Sequence, residues 1–242
     1  QHLLGRDSPG TGEVEQVTIS ESLDWIETAT DDQWIFDGVL NSILIGAAIY
    51  AFERTQAFSV SFWITSSFAA TQVVIGNVQA TADRRGWTVY IGGDGFPHLS
   101  INNTLNVNAL DVKSLDARIT DGQLHHCVMT YDGSSTPAGV VFYVDGVLQT
   151  NQTVLNSLAA TSVSTGTLQI GIRGSSGLLP VSGMPRQISL FSAVLNAGQV
   201  ASLYAGGIPP DVASLGIASL LSYWKIDATD TAELEIVLYA AA

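Results

Sequence analysis

The fold class is decided by the stretch Phe-Ser-Val-Ser-Phe-Trp-Ile at residues 58–64. Large apolar side chains occupy every second position of this stretch, which is the period of a β-strand. Residues 87–92 and 140–145 repeat the pattern, again with large residues on both faces. Strands of this kind are typical of a sheet that is covered on both sides. The sequence therefore predicts a β-sandwich.

Turn chemistry separates the predicted strands. The pairs Asp121-Gly122, Asp132-Gly133 and Asp145-Gly146 favour the positive φ angles of tight hairpins. Short strands and glycine-containing turns recur from about residue 57 to residue 192, which predicts an all-β, antiparallel sandwich. A short helix is predicted at residues 196–204, because Gly-Gly and Pro-Pro pairs follow it closely.

The two ends of the chain differ from its middle. Residues 1–37 carry nine acidic side chains against Arg6 alone, too much charge for a separate core. We expect this segment, which includes a short strand candidate at residues 14–19, to form an extended N-terminal arm for attachment or oligomerisation. Residues 38–242 form the sandwich, completed by strands at 219–227 and 235–241. The last of these is so apolar that we expect the sandwich or another subunit to cover it.

Composition excludes several classes of partner. The net charge of −13 opposes a polyanion, so nucleic acid is not expected as a partner. No apolar run reaches the roughly 18 residues of a membrane span, so no membrane insertion is expected. Charged residues make up 13% of the chain, about half the usual fraction, which indicates surface hidden in an assembly. The single Cys127 excludes an intrachain disulfide and a cysteine-based zinc site.

From about residue 57 to residue 207 the chain resembles the laminin-G-like jelly roll of the concanavalin-like lectin and glucanase group. The matching stretches are Phe-Ser-Val-Ser-Phe-Trp at 58–63, the "His-His, then Tyr-Asp-Gly" series at 121–133, Val-Phe-Tyr-Val-Asp-Gly at 141–146, and Leu-Gln-Ile-Gly at 168–171. The resemblance implies a concanavalin-like jelly roll with a short helix on its C-terminal side. Leu-Ser-Tyr-Trp at 221–224 resembles the strand that this family often places near its terminus.

A second resemblance lies at the start of the chain. Residues 4–15, Leu-Gly-Arg-Asp-Ser-Pro-Gly-Thr-Gly-Glu-Val-Glu, are similar to a segment that recurs in bacteriophage tail fibres and other virion appendage proteins. This implies a structural virion protein, made in the host cytoplasm, which forms a homotrimer and joins other virion proteins through its N-terminal segment. The jelly roll would then meet a host surface glycan or a neighbouring subunit. A capsid decoration or head-fibre protein is the first alternative, and a secreted carbohydrate-binding module or glycan-active enzyme is the second.

Catalysis is not expected. The glucanases of the group that the chain resembles use Glu-x-Asp-x-x-Glu on one strand, and that spacing is absent here. Glu233-Leu-Glu235 shows a similar alternation but lies in the tail, and the nucleophile motif Gly-x-Ser-x-Gly is also absent. Cys127 lies between apolar neighbours, which favours a buried, unreactive side chain.

No cofactor or metal is expected either. His125 and His126 are adjacent, so on a strand they face opposite sides and do not share a metal ion. Calcium is common in laminin-G-like modules, but where relatives commonly show Gly-x-Ile-Asp-Asp/Glu this chain reads Gly-Met-Pro-Arg-Gln at 183–187. The basic Arg186 stands where relatives have an acidic residue, so a calcium site is not supported.

Glycan recognition needs an aromatic face together with amides, carboxylates or arginines. Their richest supply lies in residues 83–103, with a second loop in a comparable hairpin position at 173–177. The alternative for Trp87 is a place in the core. The candidate glycan-binding residues are Arg84, Arg85, Trp87, Tyr90, Asp94, His98, Asn103 and Arg173.

Overall fold

The computed structural model describes residues 3–4, 16–19, 35–38, 42–45, 48–173, 179–226 and 236–238. The predicted N-terminal arm lies largely on residues 5–15 and 20–34, outside the described residues. The strands are β1 (Leu3–Leu4), β2 (Gln16–Ile19), β3 (Phe36–Asp37), β4 (Ile43–Ile45), β5 (Phe58–Thr65), β6 (Gln72–Val78), β7 (Gly86–Ile91), β8 (Pro97–Thr104), β9 (Asn108–Ser114), β10 (Leu124–Tyr131), β11 (Val140–Val144), β12 (Val147–Leu148), β13 (Asn151–Asn156), β14 (Leu168–Ile170), β15 (Ser182–Phe191), β16 (Leu220–Trp224) and β17 (Ile236–Leu238). The helix α1 spans Ala197–Tyr204, and short 3-10 turns lie at Ala48–Tyr50, Pro137–Gly139, Ala205–Gly207 and Val212–Leu215.

The described strands form two antiparallel sheets. One has nine strands, in the order β1-β2-β4-β14-β6-β7-β8-β9-β13. The other has eight described strands, in the order β12-β11-β10-β5-β15-β16-β17, with β3 paired to β15. The predicted all-β sandwich with one short helix is therefore confirmed.

Strand alternation places the core between the sheets. In β7 the side chains of Trp87, Val89 and Ile91 are fully buried in the main apolar cluster. The intervening Thr88 and Tyr90 consequently face the outer side of the nine-stranded sheet. The same period places Leu99 and Ile101 of β8 in the core. The outer face of this sheet is polar, and the candidate site lies on it.

The eight-stranded sheet is covered on its outer face by α1. Val128 of β10 and Phe191 of β15 pack there against Val200 and Leu203 of the helix in a second apolar cluster. Asn196 caps the helix: its side chain accepts a hydrogen bond from the Gln199 amide at 3.0 Å, and the Gln199 side chain accepts one from the Asn196 amide at 2.9 Å. This reciprocal capping fixes where the helix begins.

The strands predicted near both ends of the chain are present. β2 and β16 fall within the predicted segments, and β17 pairs with β16. A neighbouring strand of the same chain therefore lies beside the apolar terminal run. Among the described residues, no helix is long and apolar enough to cross a membrane.

Candidate functional site

A cavity of about 310 Å³ opens on the outer face of the nine-stranded sheet. Its floor is formed by polar side chains of three adjacent strands: Thr88 and Tyr90 of β7, Ser100 and Asn102 of β8, and Asp111 of β9. The pairing register explains this grouping, because Ser100 lies opposite both Thr88 and Asp111. Side chains at paired positions point to the same face of a sheet. The floor therefore presents hydroxyl, amide and carboxylate groups together.

Two turns and one strand connection form the walls. Arg84 lies in the turn between β6 and β7, where its amide donates to the Thr81 carbonyl at 3.1 Å. The turn between β8 and β9 is joined to it, because the Leu105 amide donates to the Asp83 carbonyl at 2.8 Å. Arg173 follows β14 and lines the cavity together with Leu179. Arg84 and Arg173 thus reach one cavity from widely separated parts of the chain.

A hydrogen-bonded group crosses the cavity floor. The Tyr90 hydroxyl donates to Oδ2 of Asp111 at 2.7 Å, and Nδ1 of His98 lies 3.1 Å from Oδ1 of the same carboxylate. The rings of Tyr90 and His98 stack with their centroids 4.4 Å apart. Burial raises the pKa of Tyr90, and the charge of Asp111 raises it further. The Tyr90 hydroxyl therefore stays protonated and remains a donor to the carboxylate.

An ion pair lies beside this group. Nζ of Lys113 is 2.7 Å from Oδ2 of Asp94, and Oδ1 of Asp94 is 3.9 Å from Nε2 of His98. Burial alone would raise the pKa of Asp94, but the hydrogen bonds from Lys113 and from the Phe96 amide outweigh it and lower that pKa. Asp94 is thus an ionised partner of Lys113, next to the cavity rather than in its lining.

The cavity combines two cations with one carboxylate. Arg84, Arg173 and Asp111 are the charged residues among the described residues that line it. Burial lowers the pKa of Arg173, and the positive charge of Arg84 lowers it further. The two guanidinium groups are therefore close enough to repel each other. In a chain with a net charge of −13, this is a local reversal of sign.

The candidate residues from the sequence separate into three groups. Arg84, Tyr90 and Arg173 line the cavity. Asp94 and His98 belong to the neighbouring hydrogen-bonded network. Arg85, Trp87 and Asn103 do not line it.

Trp87 has the core position that the sequence left open as an alternative. Its side chain is 0% exposed, and its Nε1–H donates to the Tyr50 carbonyl at 2.7 Å. Its ring packs against Phe52 and Phe58, with centroids 5.9 and 5.2 Å away. A sugar has no access to this ring, so Trp87 supports the sheet beneath the cavity and does not contact a ligand.

The cavity is lined by Asn102 and not by the neighbouring Asn103, which was the candidate from the sequence. The Asn103 side chain donates to the Thr161 carbonyl at 2.8 Å, away from the site. Asn102 lines the cavity instead, together with Ser100 and Asp111, none of which was a candidate from the sequence. The signal that would have found Ser100 and Asn102 is the two-residue period of β8, since residues next to the apolar Leu99 and Ile101 face outward.

A second, open cavity of about 390 Å³ lies near the first on the same sheet. Val78 and the turn that follows it border both cavities. The described residues that line the second cavity carry no charge and include Gln79, Thr81, Thr165 and Gln169. Amides and hydroxyls of this kind match the hydroxyl groups of a neutral sugar. A neutral polar cavity therefore lies beside the charged one.

Two other kinds of site were considered in the described residues, a metal site and a nucleophilic cysteine. The structure contains no group of three or more His, Cys, Asp or Glu side chains that could hold a metal ion, within the residues it describes. Cys127 is fully buried, and burial raises the pKa of its thiol. A buried thiol that stays protonated is a poor nucleophile.

A family model described as the concanavalin A-like lectin/glucanases superfamily matches residues 37–201, which include the central strands of both sheets and the residues that line the cavity. The chain belongs to this superfamily. A search of curated protein sequences gave no significant match.

Several solved structures have a similar fold. The CBM40 of the Ruminococcus gnavus IT-sialidase, bound to α2,3-sialyllactose, has a TM-score of 0.52 at 15% identity, covering 70% of this chain and 95% of that one. The native heptameric pentraxin of Limulus polyphemus has a TM-score of 0.50 at 17% identity, covering 73% and 83%. The binding domain of botulinum neurotoxin serotype G has a TM-score of 0.52 at 15% identity, covering 85% of this chain but 46% of that one. At these identities the likeness is one of fold.

Proposed function

We propose that this protein is a glycan-binding module that works without catalysis. The observation that carries the proposal is the cavity on the outer face of the nine-stranded sheet. Arginine, tyrosine, asparagine, serine and aspartate side chains converge there within about 310 Å³. A concave site with a few convergent polar groups is the usual form of a small-molecule site. The similar fold of a module bound to sialyllactose supports a carbohydrate ligand.

The absence of catalysis is supported by the carboxylates of the site. A glycosidase needs two carboxyl groups roughly 5 to 9.5 Å apart across the scissile bond. Asp111 is the one carboxylate among the described residues that line the cavity. Both of its oxygens are engaged, one by the Tyr90 hydroxyl and one by His98. A site with a single engaged carboxylate fits binding better than hydrolysis.

We further propose a place for this module on a bacteriophage particle, as a tail-fibre or tail-tip component. The support is the resemblance of residues 4–15 to virion appendage proteins, together with the low charged fraction of 13%. In this proposal the chain is a homotrimer, and its N-terminal segment joins other virion proteins. Three linked copies would raise the effective concentration of a site that binds a single sugar weakly.

A blocking variant tests the glycan proposal. Thr71 lines the first cavity, so Thr71→Trp puts a large side chain into it without changing the charge. Thr150→Trp is the matched control, at an exposed position between β12 and β13. On a glycan array we expect the wild-type protein and the control to bind and Thr71→Trp to lose binding. Equal binding by both variants would place the site elsewhere, and no binding by the wild-type protein would contradict the function.

Two further measurements test the remaining parts of the proposal. A reducing-sugar assay on the bound glycan should detect no product, and release of product would contradict the non-catalytic role. Mass measurement at micromolar concentration should give a trimer, and imaging of labelled particles should locate the protein on the tail. A capsid location would favour the decoration or head-fibre alternative. A monomer that does not enter particles would favour a secreted module.

A further inference from the structure

We infer that the cavity binds an anionic group carried by a sugar, held between Arg84 and Arg173. The inference rests on the proposed glycan-binding function and names the class of glycan. Its first support is the position of the two arginines. The chain has nine basic residues and 22 acidic ones, yet two of the nine line one small cavity. Burial and the charge of Arg84 both lower the pKa of Arg173, so an anion between them would relieve their mutual repulsion.

The carboxylate of Asp111 is hydrogen-bonded to groups other than Arg84 and Arg173. Its Oδ2 accepts from the Tyr90 hydroxyl at 2.7 Å, and its Oδ1 lies 3.1 Å from Nδ1 of His98. Both oxygens of this carboxylate are thus engaged by Tyr90 and His98.

Arg173 also has hydrogen-bonding capacity left over. Its Nε is buried and has no hydrogen-bond partner among the described residues. A buried donor without an acceptor is costly, and nearly all such donors in folded proteins find a partner. The oxygens of a carboxylate or sulfate match the planar donor geometry of a guanidinium group.

The backbone at Arg84 gives independent support. Its φ angle is +46°, in the left-handed region that residues with a side chain rarely adopt. Strained backbone of this kind is concentrated at functional sites. Glycine or asparagine would suit the turn better, so the arginine is kept there at a cost in backbone strain.

The size of the cavity limits the ligand to about one sugar residue. Its volume of about 310 Å³ lies near the lower end of the range for small-molecule sites. The amide of Asn102 and the hydroxyls of Thr88 and Ser100 line it next to the arginines. These groups match sugar hydroxyls, while the arginines match the acid. The acidic residue of the glycan therefore occupies this cavity.

Titration calorimetry with paired ligands tests the inference. Sialyllactose and lactose differ by the sugar that carries a carboxylate, and galactose 6-sulfate and galactose differ by a sulfate. We expect the wild-type protein to bind at least one acidic ligand more tightly than its neutral partner, by about tenfold or more for a charge-assisted pair. A preference for sialyllactose identifies a carboxylate, and a preference for the sulfated sugar identifies a sulfate.

Arginine variants locate the effect. Arg84→Gln and Arg173→Gln should each reduce affinity for the acidic ligand by about tenfold or more, and so narrow the difference between the acidic ligand and its neutral partner. Arg118→Gln makes the same change of charge at an exposed position over the Phe96 ring, outside the cavity, and should bind like the wild-type protein. Thermal unfolding of all three variants shows whether each is folded.

The outcomes separate this inference from the proposed function. Tight binding of neutral sugars without any preference for the acidic partner would overturn the inference and leave the glycan-binding function standing. Equal losses in Arg118→Gln and the two cavity variants would also overturn it, because the effect would then come from overall charge. Failure to bind any glycan would contradict the proposed function itself.

Discussion

The hydroxyl of Tyr90 reaches across β8 and donates a hydrogen bond of 2.7 Å to Oδ2 of Asp111. The two residues lie on β7 and β9, and the His98 ring between them stacks against Tyr90. This bond fixes both side chains on the cavity floor.

Removing the Tyr90 hydroxyl should therefore destabilise the protein. Tyr90→Phe leaves the ring stacking in place but removes one donor to a partly buried carboxylate. We expect a loss of about 1.5–3 kcal/mol in the free energy of unfolding, the usual value for a hydrogen bond to a charged group. Urea denaturation measures it. Tyr143→Phe, at a partly exposed position of β11, is the matched control. An equal loss in its free energy of unfolding would show that the hydrogen bond to Asp111 does not account for the loss in Tyr90→Phe.

Trp87 should affect stability and not glycan affinity. Trp87→Phe leaves the buried Tyr50 carbonyl without the Nε1–H donor that lies 2.7 Å away. We expect a loss of about 1–3 kcal/mol in the free energy of unfolding, the usual cost of a buried group without its partner. Calorimetry on the folded variant should give wild-type affinity. Lower affinity with unchanged stability would mean that Trp87 acts at the ligand site.

The fold was predictable because its signals are local. The two-residue period of residues 58–64 and the Asp-Gly turns act over a few positions, and they identified the strands and the sandwich. The family resemblance rested on the same segments. The signal for the helix is also local, because Asn196 and Gln199 form its N-terminal cap within four residues.

The site was less predictable because it depends on register. Arg84 and Arg173 were chosen as rare basic residues in loops, and the structure brings both to one cavity. Asp111 was missed because its place opposite Ser100 depends on how β8 pairs with β9. Trp87 and Asn103 were candidates by residue type alone. Which face of a strand points outward decided against them, and that depends on the packing of the two sheets.

Replacing Arg84 should lower glycan affinity without lowering the stability of the protein. Arg84→Gly removes the side chain from a residue with φ of +46°, so we expect the free energy of unfolding to stay constant or rise by up to about 1 kcal/mol. Affinity for the glycan should fall. Arg85→Gly is the matched control at the next residue, where φ is not positive, and it should destabilise by about 0.5–1 kcal/mol without affecting affinity. Chemical denaturation and calorimetry measure both. A large loss of stability in Arg84→Gly would show that the arginine has a structural role.

His125 and His126 should contribute to pH dependence with opposite signs. His126 is fully buried, with Nε2 2.9 Å from Ser61 Oγ and its ring centroid 4.7 Å from that of Trp63, in a tilted contact. Burial lowers its pKa to about 4 from an ordinary value of 6.5. Burial also lowers the pKa of His125, but the hydrogen bonds to Asp145 and Asp121 outweigh it, so the net shift is upward.

The two shifts act in different pH windows. The lowered pKa of His126 contributes stability above pH 6.5. This stability is lost as the pH falls from 6.5 towards 4, because the imidazole is then protonated in the unfolded chain but still neutral in the folded protein. The loss is at most about 3 kcal/mol for this shift. His125 contributes stability below pH 6.5, which is lost as pH rises through its raised pKa. The lowered pKa values of Asp94 and Asp121 matter only as pH falls below their ordinary value of 3.8.

Glutamine variants separate the two histidines. His126→Gln should be less stable at neutral pH, but its stability should change less between pH 6.5 and 4 than that of the wild-type protein. His125→Gln should keep this acid slope and lose the decline above pH 6.5. Urea denaturation across the pH range measures both. An unchanged acid slope in His126→Gln would show that another group takes up the proton, and would contradict the assignment of the lowered pKa to the buried imidazole between Ser61 and Trp63.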